Sequence, residues 1–257
     1  MENFNEKIVV ITGGTSGIGK ATAIQFARRG ATVIALTVDR KDIADAAIRE
    51  IGNGAEYVYC DVSNDEQAKK AIAYVVEKYG RIDCAFNNAG IGPDGVRMPY
   101  ESLTEISEKT WDLVVDVDMK GVFLCLKYEL IQMQKQGFGS IVNTASIGGY
   151  KMAPGFAAYG PAKAAVLALT EMAAIENARF GIRVNAICPG PTGDTELTNN
   201  TISSDPKQKE ILKEHVIPMK KFATPVEVAH AVLWLCSDLS SHTTGQKIFI
   251  DGGMHIA

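Results

Sequence analysis

The chain has 257 residues, of which 46% are hydrophobic and 22% charged, with a formal net charge of −4. That length suits one large α/β domain with a sizeable core, and the dispersed negative balance offers no basic stripe for a nucleic-acid partner. No apolar run reaches membrane-spanning length, and five widely spaced cysteines without a CxxC pair read as buried small hydrophobes rather than as disulfides or metal ligands.

The start, MENFNEKIVVITGG, passes from polar residues straight into a strand, without a signal peptide, so a cytoplasmic protein is expected. The first strand covers 7–12. A helix over 17–30 ends at Gly30, and a second strand fills 31–36. A helix over 41–52 ends at Gly52, a strand follows at 56–60, and a helix over 64–79 is stopped by Gly80. Residues 81–90 form a strand running into a glycine turn. A long helix is expected over 108–135, with Val115, Met119, Val122 and Phe123 at helical spacing toward a core. Strands at 140–146, 182–188 and 247–251 and helices at 156–180 and 225–236 complete the chain. Strands alternating with helices predict a single domain with a doubly wound parallel sheet, helices on both faces, and ligands beyond the strand carboxyl ends.

Motifs gather at those strand ends. TGGTSGIG joins the first strand to the first helix, and Gly13, Thr15, Ser16, Gly17, Ile18 and Gly19 are its cofactor candidates. Glycine permits close backbone approach, and the helix N-terminus offers N–H donors to a pyrophosphate. Asp61 and Val62 end the third strand, where a carboxylate can accept from an adenine amino group or instead cap the next helix. Asn88, Ala89 and Gly90 end the fourth, as adenosine contacts or as plain turn residues. Tyr159 and Lys163 are four apart and share a helix face, and Ser146 ends the fifth strand. An ammonium beside a tyrosine favours the phenolate, and a serine hydroxyl can hold a substrate oxygen.

With TGGTSGIG at 12–19, Asp61–Val62, NNAG at 87–90, Ser146, YGPAK at 159–163, Pro189–Gly190 and DGG at 251–253, the chain resembles the short-chain dehydrogenase/reductase family, in its branch of about this length. The resemblance implies a seven-stranded Rossmann-type sheet and hydride transfer between NAD(P)(H) and a secondary alcohol or ketone. It implies Tyr159 as general acid/base, Lys163 as the group that lowers the tyrosine pKa and holds the nicotinamide ribose, and Ser146 as the oxyanion contact. Pro189, Gly190, Thr192 and Thr195 are implied to close over the nicotinamide, with either threonine as the carboxamide contact. A substrate-binding loop is implied at about 190–220. Tyr150, Met152 and Phe156 suggest an apolar substrate wall, with core or interface as the other possibility. Thr37 stands where an acid would select NAD, which points to NADP, although Asp39 lies two residues on. The long helix and the Tyr159 helix are implied to pair between subunits, giving a homotetramer or homodimer.

Asp118 departs from the pattern. The resemblance implies an asparagine there, in a local helix irregularity that serves a proton relay. An aspartate loses an amide donor, adds a charge, and is expected to keep the geometry through its oxygens. A nicotinamide-nucleotide-binding regulatory protein without turnover is the alternative, and a lyase or epimerase on the same fold is a third.

Overall fold

Aliphatic residues fill both faces of nearly every strand, as a sheet covered on both sides requires. The computed structural model describes residues 3–94, 98–195, 198 and 206–257. Its strands are β1 (Ile8–Thr12), β2 (Thr32–Thr37), β3 (Glu56–Tyr59), β4 (Cys84–Asn87), β5 (Gly139–Thr144), β6 (Ile182–Pro189) and β7 (Lys247–Ile250). They form one seven-stranded sheet in the order β3-β2-β1-β4-β5-β6-β7, and every pairing is parallel. The order reverses beside β1, so the β1 and β4 ends form the switch point where such sheets bind ligands.

Along β1 the side chains alternate. Ile8 and Val10 enter the core beneath α3 (Asp65–Tyr79), α5 (Gly121–Gln136) and α6 (Tyr159–Asn177). Val9 and Ile11 enter the opposite core, beneath α1 (Gly17–Ala27), α2 (Lys41–Ile51) and α8 (Pro225–Cys236). The described part of the loop expected at about 190–220 includes a helix, α7 (Pro206–His215); residues 196, 197 and 199–205 of that loop lie outside the described residues. All five cysteines are buried and unpaired. Among the described residues, no helix is long and apolar enough to cross a membrane.

The long helix expected over 108–135 is broken. It comprises α4 (Glu108–Val115), a π turn over Asp116–Lys120, and α5. The wider turn rotates the later residues out of phase with the earlier ones. Val122, Cys125, Leu126 and Glu129 consequently face inward, and Phe123, expected in the core, is 47% exposed. Gly121 permits the turn to lie close, since a Cβ there would stand 2.7 Å from Val62 Cγ2. The helix expected from 156 starts at Tyr159, with Pro161 as its third residue. Its missing N–H falls in the first turn, where no intrahelical acceptor exists, so the ring costs little.

Behind the sheet ends runs a buried polar chain. Asn87 Nδ2 donates to Glu129 Oε2 at 2.9 Å and to Asn143 Oδ1 at 3.0 Å, and Asn143 Nδ2 donates to Thr170 Oγ1 at 3.0 Å. Glu129 Oε1 and Asn87 Oδ1 meet no donor among the described residues. Burial pushes the Glu129 carboxyl up to about 7, against a partial opposing effect of Asn87. A folded-state value above the unfolded one stabilises fully below the unfolded value, and this contribution is lost as pH rises through about 7. Glu129→Gln is therefore expected to flatten the fall in stability between about pH 4.5 and 7. At pH 8 it should raise the melting temperature by several degrees over wild type. Thermal melts across that range check this, and parallel profiles would contradict it.

Candidate active site

Thr12 ends β1 beside the end of β4, and its buried hydroxyl oxygen accepts the backbone N–H groups of Asn88 and Ala89, both at 2.9 Å. Asn88 Nδ2 reaches back to Thr12 O at 3.3 Å. This clamp holds the glycine turn against NNAG. Gly19 is required by packing: a Cβ there would lie 2.1 Å from Gly13 O. Gly13 and Gly17 take positive φ, 63° and 49°.

The helix that follows the turn starts without a side-chain cap, as α2 and α6 also do. Asn64, Ser107 and Thr224 cap α3, α4 and α8 through their side chains. Ser16 at the start of α1 makes no such bond, and the first turn of α1 carries no acid. Its N-terminal N–H groups and the positive end of the helix dipole face a cavity of about 580 Å³ lined by Ser16, Gly17 and Ile18. These features fit a dinucleotide, with its pyrophosphate on the α1 turn.

Asn88, Gly90, Pro189, Gly190, Thr192 and Thr195 line the same cavity. Thr192 and Thr195 each donate to backbone, to Gly190 O at 3.1 Å and Thr192 O at 3.0 Å. Thr15 and Thr37 stand together at the β2 end. Thr15 Oγ1 donates to Asp39 Oδ2 at 2.6 Å, the Asp39 N–H donates to Thr37 Oγ1 at 3.0 Å, and the two hydroxyls are 2.9 Å apart. Each hydroxyl has one proton, so Thr37 donates to Thr15 and the ring closes. Asp61 Oδ1 accepts from the Ser63 N–H and hydroxyl at 3.0 and 2.7 Å. Asn64, not Asp61, caps α3, and Val62 packs on the Gly121 turn.

At the far end of the cavity the strand ends converge with α6. Ser146, Tyr159, Lys163 and Asp118 all line it. Ser146 Oγ accepts from Gly148 N–H at 3.0 Å. A Cβ at Gly148 would stand 3.4 Å from Ser146 Oγ and 3.5 Å from Tyr159 Cε1, so the two side chains border one space. Lys163 Nζ donates to Thr144 O at 3.1 Å, faces Asp118 Oδ2 at 3.2 Å and lies 5.7 Å from the Tyr159 ring centroid. Asp118 Oδ1 accepts the Ile91 N–H at 2.7 Å.

Burial raises the Tyr159 phenol above its ordinary value. Lys163 and Ser146 pull it down, while Asp118 and Cys188 add to the rise. Burial also lifts the Asp118 carboxyl, against Lys163 and the Ile91 N–H. Lys163 is raised: burial disfavours its charge, but Asp118 and Tyr159 outweigh that. The lysine thus lowers the tyrosine as expected, but does not win.

The cavity beyond these groups is largely apolar, though Lys151 also lines it. Ile91, Pro93, Tyr100, Met152, Phe156, Leu212 and Met254 wall it. Phe156 packs against Tyr100 and Tyr159 at centroid distances of 5.4 and 5.8 Å. Tyr150, expected on this wall, instead packs edge-on against Phe249 at 5.0 Å. Met254 and the Thr12 clamp escaped the sequence analysis. The DGG turn signalled a strand end but not what followed it, and a strand-terminal threonine looks like any other β residue.

The model of a protein family described as enoyl-(acyl carrier protein) reductase matches residues 13–255. The 3-oxoacyl-[acyl-carrier-protein] reductase of Thermotoga maritima is 41% identical over 254 residues, spanning 97% of this chain and 98% of that protein. The crystal structure of levodione reductase matches with a TM-score of 0.91 at 35% identity, over 99% of this chain and 100% of that one. NAD+-bound xylitol dehydrogenase matches with a TM-score of 0.88 at 34% identity, over 98% and 100%.

Removing the clamp should be costly. Thr12→Val strands two backbone N–H groups, at about 1–3 kcal/mol each. Urea denaturation is expected to show a lower midpoint with an unchanged slope; an unshifted midpoint would show that the clamp is dispensable.

Proposed function

Because the chain belongs to the short-chain dehydrogenase/reductase family and is a nicotinamide-dependent oxidoreductase, we propose that it interconverts a secondary alcohol and a ketone, with Tyr159 as the general acid/base. The observation that carries this is the convergence of Ser146, Tyr159 and Lys163 on one end of the cavity whose other end is the uncapped α1 turn. The bound nicotinamide supplies or takes the hydride. Tyr159 gives its proton to the carbonyl oxygen in reduction and takes it back in oxidation. Ser146 holds that oxygen and stabilises its developing negative charge. Lys163, fixed by Thr144 O and Asp118, favours the phenolate and stands where it can hold the nicotinamide ribose.

The largely apolar wall, with Lys151 also in the lining, supports a ketone on an apolar ring rather than a polyol. An aromatic path from Tyr100 through Phe156 leads to Tyr159, and Met152, Leu212 and Met254 give it adaptable sides. The carbonyl then meets the polar groups at the cavity floor while its ring rests on the wall.

For the cofactor, Thr37 removes the usual acid, which favours NADP, but the Asp39 ring supplies one. Thr15 tethers the Asp39 carboxylate to the pyrophosphate turn, where it accepts from a ribose 2′-hydroxyl and repels a 2′-phosphate. Arg40 and Lys41 are paired to Asp42 and Asp45 on the exposed helix start. This supports NAD. Exposed Phe123 on α5 and Met172 and Ile175 on α6 support the expected homo-oligomer.

Absorbance at 340 nm with cyclic ketones and both cofactors tests the reading. Tyr159→Phe is expected to lose about 10²–10⁴-fold in kcat while binding NADH normally. Tight cofactor binding with no turnover on a broad set of ketones and alcohols would favour the regulatory alternative. Asp39→Asn keeps the Thr15 contact and removes the charge, so its NADPH Kd should fall about tenfold with little change for NADH. Fluorescence titration checks this, and an unchanged ratio would count against Asp39 as the selector.

A further inference from the structure

Asp118 and Lys163 form an ion pair with almost no solvent contact, at 0% and 3% side-chain exposure. The carboxylate is held from both sides. Its Oδ1 accepts the Ile91 N–H at 2.7 Å, and its Oδ2 faces the ammonium at 3.2 Å. Gly90 seals the pair, since a Cβ there would stand 3.1 Å from Lys163 Nζ and 3.4 and 3.5 Å from the two carboxylate oxygens. Splitting a buried pair leaves one charge unmatched, so the partners stay together.

The groups facing Tyr159 come from four elements. Lys163 is on α6 with it, Asp118 on the π turn, Ser146 after β5 and Cys188 on β6. Of these, Lys163 carries the charge that promotes phenolate formation and Asp118 the charge that opposes it.

We propose that Asp118 is a positioning residue that partly cancels the Lys163 charge felt by Tyr159 and so moves the alcohol-oxidation optimum to higher pH than an amide at that position would give. The inference rests on Tyr159 as the acid/base. In a water-poor site the field of an ammonium is strong, and a carboxylate 3.2 Å away turns it into that of a dipole. An asparagine would keep the Ile91 contact through its carbonyl oxygen, remove the charge, and turn an amide NH2 toward Lys163 in place of the acceptor oxygen. The tyrosine would then face an uncompensated ammonium and release its proton at lower pH.

The test is made on the cofactor-free protein carrying ¹³Cζ-tyrosine, with the Tyr159 signal assigned by Tyr159→Phe. In wild type the signal is expected to titrate with a midpoint above the ordinary value of about 10. In Asp118→Asn the midpoint should fall by about one unit or more. The acidic limb of the oxidation pH–rate profile should move down by the same amount, a shift that a purely structural role would not produce. Equal midpoints in the two proteins would overturn the proposal, and so would a wild-type midpoint below 10, which also decides the matter if Asp118→Asn fails to fold. Absence of turnover on any alcohol or ketone would defeat the catalytic reading, while the titration would still decide the charge effect.

Discussion

A buried ammonium dictates much of this architecture. Lys163 is 3% exposed, and a charge so placed is tolerated only with partners in fixed positions. Those partners come from two other elements. The β5 end contributes the Thr144 carbonyl and the π turn contributes Asp118. The turn must interrupt a helix that would otherwise run straight past, and α6 must begin close to the sheet end. Gly149 permits that approach, since a Cβ there would stand 2.6 Å from the Lys163 backbone carbon. The same approach sets the loop carrying Ser146 against Tyr159. Pairing the lysine and bringing Ser146 and Tyr159 together are therefore one packing problem.

Much of this could be read in advance because it is local. Strand–helix alternation fixed the parallel sheet, and Gly52 and Gly80 close their helices as expected, whereas the first helix ends at Ala27, short of Gly30. TGGTSGIG, NNAG and Tyr159–Lys163 each carry their geometry within a few residues. What periodicity missed depends on contacts distant in sequence. Phe123 has the right spacing for a core residue and loses that place because the π turn shifts the helix phase. Tyr150 follows Ser146 closely but turns to Phe249. Glu129 on an inward helix face looks like a mistake until Asn87, forty-two residues earlier, is found beneath it. Asp39 sits two residues from the usual acidic position, and only the Thr15–Thr37 pairing shows where its carboxylate points.

The two ends of the cavity solve opposite electrostatic problems. At α1 an uncapped helix start presents partial positive charge without any buried ion, so an anion can arrive and leave without stranding a counter-charge. At the floor a full positive charge is present but neutralised in place by Asp118. The chain thus meets its ligand with a polarised turn at one end and a balanced pair at the other.

That balance determines the resting form of the tyrosine. Burial is the largest influence on Tyr159 and favours the neutral phenol; Asp118 adds to it, and Lys163 with Ser146 opposes without prevailing. Near neutral pH the hydroxyl therefore carries its proton, and losing it works against the same burial. Ser146 Oγ accepts from Gly148 N–H, and its hydroxyl is one of the two groups that lower the Tyr159 phenol. The resting form of Tyr159 thus follows from its burial first and from the Lys163–Asp118 pair second, since the two charges act on it in opposite directions.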